Sequence, residues 1–110
     1  MSLPSGRPWP VAEALPPHRV IKDMGITHAE FHRILPSLFT DAVPVVQGST
    51  VSASWPGRRL VITLGAEQQR RIALLALPRT VVTLDFHGFT PDQRSAFLSH
   101  FDRRFQRGGG

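Results

Sequence analysis

The stretch "TVSASWPGRRLVITL", residues 50–64, decides the fold. Its first half alternates small polar residues with Val51, Ala53 and Trp55, and its second half sets Leu60, Ile62 and Leu64 on one side. That period of two marks a strand with one buried face. Pro56 and Gly57 between the halves are a turn signal, so the stretch reads as a β-hairpin. Beyond it, "RRIALLAL" (70–77) and "VVTLDF" (81–86), separated by "PRT", read as two further strands, and the four make an antiparallel meander. "AVPVV" (42–46) is a candidate fifth strand, placed at an edge because Pro44 has no backbone donor.

A helix is expected on each side of this meander. Thr27 is a good N-cap, and Glu30 three residues later has the spacing of a capping box. Ile26 and Phe31 stand where a hydrophobic staple would close the entry. Phe31, Ile34, Leu35, Leu38 and Phe39 then form an apolar stripe at helical spacing, with Pro36 predicting a kink or an end near Leu35. Thr90, Pro91 and Gln93 repeat the punctuation before the stripe Phe97, Leu98, Phe101 and Phe105. Arg103, Arg104 and Arg107 suit the negative end of that helix. The layout is α-β-β-β-β-α, an α+β fold in which two amphipathic helices pack one face of a four-stranded sheet, five if 42–46 joins, in two layers.

Length and composition set the outer limits. A chain of 110 residues holds one core. Five prolines before residue 18 make residues 1–20 a Pro-rich flexible arm, leaving 21–107 as a single domain and 108–110 as a glycine tail. Within the arm only Trp9 could anchor on a partner or on the domain itself. The most apolar run, "IALLAL" (72–77), is far shorter than the ~18–20 residues a membrane-spanning helix needs. No secretory leader is evident at the N-terminus, so a cytoplasmic location and no membrane contact are expected. The absence of cysteine removes disulfides, thiolate nucleophiles and Cys-bound zinc together.

The chemistry-bearing patterns resolve mostly into structural roles. His28 and His32 have the i, i+4 spacing of a metal-binding helix, but Glu30 sits one place late for the zinc-peptidase order and serves the cap instead. They remain weak metal candidates. Asp85 and His87 share an expected strand face, as a base and its orienting carboxylate would, yet no serine stands in a nucleophile elbow. No Walker or dinucleotide glycine pattern occurs, and no cofactor is expected.

The net charge of +5 comes almost entirely from arginine, with Lys22 the one lysine. Arginine suits bidentate phosphate contact, although GC-rich coding would also enrich it. Arg58, Arg59 and Arg79 are expected at one end of the sheet and Arg70 and Arg71 at the other, a candidate nucleic-acid surface. The sheet face without helices combines Ser52, Ser54, Thr63, Thr83 and Asp85 with Val61, Val81 and Leu75, and apolar residues there would favour pairing with a second copy. The function expected first is therefore a non-enzymatic accessory protein that binds a macromolecular partner, most simply another protein. A nucleic-acid-binding protein stands second and a His-dependent metal-binding protein or enzyme third.

Overall fold

The structure, a computed structural model, describes residues 17–109, with side chains to residue 106. The arm residue Trp9 and the last glycine lie outside these. Along the chain run strand β1 (His18–Met24), helix α1 (His28–Ile34) with a short 3-10 helix (Leu35–Leu38), strands β2 (Val45–Gln47), β3 (Thr50–Trp55), β4 (Arg58–Leu64), β5 (Gln68–Ile72) and β6 (Leu75–His87), and helix α2 (Pro91–Gly109). The class is α+β, with an antiparallel sheet and two helices as the sequence predicts.

The sheet has six strands in the order β1-β6-β4-β3-β2, with β5 paired to the free half of β6. The predicted hairpin is β3–β4, in register from Thr50↔Thr63 to Trp55↔Arg58, and the candidate edge strand is β2. Two details depart from the sequence reading. β1 is a full strand where only the end of the arm and a loop were expected, paired with β6 from His18↔Phe86 to Met24↔Thr80. The run 70–77 is not one strand but the two limbs of a hairpin turning at Ala73 and Leu74, and "PRT" lies inside β6.

Pro78 is compatible with that strand because of where its missing donor points. Its carbonyl faces Gly25, 3.7 Å from where a Cβ on that glycine would sit, which is the β1 side of β6. The N and O of a strand residue point the same way, so the missing N–H falls on an edge that β1 has already left. β4 and β5 in turn form one long limb against β6. Leu64↔Val82 and Gln68↔Arg79 leave three residues opposite two, a bulge at 65–67 pinned by the Gly65 N–H donating to the Val81 carbonyl at 2.8 Å.

Helical punctuation is realised with one change. Thr90 and Gln93 make a reciprocal capping box, each backbone N–H donating to the other's side-chain oxygen at 2.9 and 3.1 Å. At α1 the Glu30 N–H donates to Thr27 Oγ1 at 3.1 Å, but the Glu30 carboxylate turns to Arg33. The His28 N–H donates to Glu67 Oε1, 2.8 Å away across the bulge. Pro36 converts the end of α1 to the 3-10 turn, as its lost donor requires.

Both helices lie on one face of the sheet. All seven phenylalanines of the chain join the core, six of them supplied by the helical segments and their flanks. Phe31 stacks on Phe105 at 4.8 Å between ring centres, while Phe86, Phe89, Phe97 and Trp55 form an edge-to-face group at the other end. Buried Thr80 donates its hydroxyl to the Ile26 carbonyl at 2.8 Å, fixing the entry to α1 against β6.

Gly88 links β6 to the cap of α2 at φ +78°, and a Cβ there would collide with the Gly57 carbonyl. Gly88→Ala is expected to cost about 2–4 kcal/mol, the sum of a left-handed alanine and a backbone shift. Urea denaturation should show a lower midpoint with an unchanged slope.

Candidate functional site

Alternation along β6 assigns the two faces. Thr80, Val82, Leu84 and Phe86 are buried against the helices, so the odd-numbered residues from Leu75 to His87 face outward. Cross-strand register then lays out the open face in rows: Arg19, Asp85, Val61, Ser52 and Val45 in one, and Ile21, Thr83, Thr63, Thr50 and Gln47 in the next. The mixed face that the sequence predicts is therefore present, and these two rows combine four threonine and serine residues, three valine and isoleucine residues, a glutamine and an ion pair. Arg19 Nε donates to Asp85 Oδ1 at 2.7 Å and Nη2 to Oδ2 at 3.3 Å, which holds the Arg19 pKa above its ordinary value. Asp85 is thus engaged by Arg19, and His87 stands opposite Arg59 in the register.

Past Thr80 the sheet narrows to two strands. β5 and the first residues of β6 continue as a ribbon of five paired rows, roughly 17 Å long at the usual strand rise. Every residue of β5 is exposed. At its end Ile72 is 53% exposed, Leu74 97%, Leu75 62% and Leu77 42%. The turn itself is strained: Ala73 has φ +55°, a value that hairpins normally give to glycine or asparagine. A non-glycine residue there costs about 1–2 kcal/mol.

The arginines fall into different groups from those expected. Arg79 is not near Arg58 and Arg59 but eight residues along β6 from His87, at the base of the ribbon with Arg70. Both converge on Asp23. Arg79 Nε lies 2.9 Å from each carboxylate oxygen and Nη2 2.8 Å from Oδ2, while Arg70 Nη2 is 3.7 Å away. Gln68 Oε1 accepts from Arg79 Nη1 at 3.1 Å. The hydrogen bond from Arg79 holds the Asp23 carboxyl below its ordinary range, with Arg70 adding to the effect. Arg71 lies on the other face of the ribbon, opposite Ala76. At the far end of the sheet Arg58 stacks over the Trp55 and Phe89 rings, 5.2 Å from each centre.

His28 and His32 are both placed in packing roles. The His28 ring hydrogen-bonds the Gly65 carbonyl through Nε2 at 2.7 Å, and His32 meets the Phe31 ring edge-on. Among the described residues no three His, Asp or Glu side chains come together as metal ligands would.

Two hollows adjoin the ribbon base. One, about 740 Å³ and open to solvent, runs between the end of β1 and the last turns of α2, lined by Met24, Ile26, Phe101 and Phe105. Lys22 and Asp102 at its rim neutralise each other at 2.9 Å. The smaller, about 250 Å³, lies beneath the apolar side of the ribbon between Ile72, Leu77 and the Asp23 cluster. Neither presents an activated nucleophile among the described residues. Among those residues no helix is long and apolar enough to cross a membrane.

No family model, no curated protein and no solved structure matches this chain.

The ribbon base gives a pH signature. Asp23 has a folded pKa below its unfolded value, so its contribution is full above the unfolded carboxylate range, about 4, and is lost as pH falls through the depressed folded value. Asp23→Asn should therefore lower the melting temperature near neutrality, with the difference from wild type closing only on acidification below about pH 4. A difference that stays constant into strong acid would mean that the carboxylate charge is not what holds Arg79. Independently, Ala73→Gly should raise stability by up to about 1 kcal/mol in a urea titration, because the left-handed turn costs glycine nothing.

Proposed function

We propose that this chain is a small non-enzymatic accessory protein of the cytoplasm that works by presenting the β5–β6 ribbon to a larger partner. The observation that carries the reading is the turn. Four large aliphatic side chains stand exposed on a ribbon two strands wide, and their turn accepts a strained alanine where glycine would relax it. Folding alone gives no reason for either feature, since polar turn residues would make a more stable and more soluble hairpin. A contact surface explains both.

Nucleic-acid binding has less support. Two of the candidate arginines already have close partners, Arg79 on Asp23 and Arg58 on two aromatic rings. RNA-reading sheets stack bases on exposed aromatics, whereas the phenylalanines here belong to the core. Pairing of two copies through the open face is supported only by scattered Val and Ile among threonines, an ion pair and serines.

Site-specific photo-cross-linking in the native host tests the reading. A photoreactive residue replacing Leu74 should yield an adduct, with protein or with lipid, whereas the same residue at Ser54, exposed at the other end of the sheet, should not. No adduct at either position, or equal adducts at both, would overturn the ribbon as the contact element.

A further inference from the structure

We infer that the ribbon docks, tip first, on an anionic lipid surface. This rests on the reading of the ribbon as the contact element and names what it contacts. Three features of the ribbon lead there. The first is that both backbone edges resist strand addition. On the β6 edge Pro78 lacks a donor. On the β5 edge, antiparallel pairing of two copies about the middle of the strand would set Arg70 against Arg70, a like-charge contact. Recognition must then come from side chains.

The second feature is that the exposed apolar side chains of the tip are not confined to one face. Ile72 and Leu75 pair on one face and Leu77 follows them, while Ala76 lies on the other and Leu74 projects from the turn. A pocket in a protein would reward one face. An apolar phase takes in the end of the ribbon as a whole, the face of Ile72, Leu75 and Leu77 together with Leu74 at the turn.

The third feature is the charge behind the tip. Arg71 and Arg70 follow Ile72 immediately and point to opposite faces of the ribbon, one row and two rows back from the last apolar pair. Residues 68–79 contain three arginines and no acidic residue. Asp23 takes up Arg79 closely and Arg70 only at 3.7 Å, which leaves a positive collar at the depth where headgroups would lie. Long arginine stems can rest beside the leucines while their guanidinium groups reach phosphate. The same collar opposes tip-to-tip pairing of two copies. Such a device needs no spanning helix, because its apolar surface is six residues of hairpin that would rest at the interface without crossing.

The test uses the full chain and vesicle flotation. Wild type should float with phosphatidylcholine vesicles that contain phosphatidylglycerol, less so as salt rises, and weakly or not at all with phosphatidylcholine alone. Leu74→Asp with Leu75→Asp should reduce partitioning by roughly tenfold or more while leaving the circular dichroism unchanged. Arg70→Gln and Arg71→Gln should each reduce binding to the anionic vesicles by about fivefold and leave the neutral ones unaffected. Failure of wild type to float at low salt, or flotation that the aspartate pair does not alter, would overturn the lipid assignment. If flotation fails while position 74 still cross-links to a protein, the ribbon remains the contact element and only the lipid is wrong. If both fail, both readings fall.

Discussion

The pairing of β6 is the constraint from which the rest follows. A 13-residue strand carries backbone donors and acceptors along both edges, and those in the buried part must be satisfied. β1 covers one edge as far as Thr80, and β4 with β5 covers the other along the whole length. Where both edges are covered the inward side chains are Thr80, Val82, Leu84 and Phe86, the floor on which the helices pack. Where β1 stops, no helix covers the strand and the residues become exposed. One strand thus defines both the core and the projection, and the boundary between them is marked by Pro78, which ends any continuation of β1, and by Thr80, whose hydroxyl ties the departing chain at Ile26.

Legibility in the sequence followed the strength of local signals. The hairpin at 50–64 alternates cleanly because one face is buried and the other polar, and Pro56-Gly57 supplies the turn chemistry. Both helix starts were readable from Thr27 and Thr90, since a cap is a contact between residues close in sequence. β1 was hidden because its inward positions are Val20, Lys22 and Met24. Lys22 breaks the apolar alternation, although its stem packs inward and its amine reaches Asp102 on α2. The ribbon was hidden for the opposite reason. "IALLAL" carries six apolar residues and no turn residue, so its reversal at Ala73 contradicts the local code and reads as one strand. The capping role of Glu67 at His28 was equally illegible, because it depends on where the bulge at 65–67 brings a distant side chain.

For the candidate site, residue types were legible and groupings were not. Charge marks Arg70, Arg71 and Arg79 in the sequence, but the convergence of Arg70 and Arg79 on Asp23 depends on a strand reversal that the sequence conceals. Once the run 70–77 folds back, Gln68 meets Arg79, and Arg79 comes to Asp23 on a strand that was itself unexpected. A single misplaced turn therefore sends an arginine to the wrong end of the sheet. The histidines show the converse. Their i, i+4 spacing suggests chelation in any sequence, and only the fold reveals that the Gly65 carbonyl already occupies Nε2 of His28.

How the positive charge is distributed bears on what the molecule can bind. Lys22, Arg19 and Arg79 each tie one structural element to another through Asp102, Asp85 and Asp23, and Arg58 covers the aromatic end of the core. Exposed pairs of this kind add little stability one by one, typically ~0–1 kcal/mol. The larger effect of the Arg19 and Arg79 pairs is to offset basic charge on the open sheet face. Charge that stays uncompensated next to apolar surface has a different consequence from charge spread over a polar sheet. It opposes the approach of a like copy and favours an anionic neighbour, as the proposed docking requires, and in this chain Arg71 beside the leucines that follow it is where such charge stands.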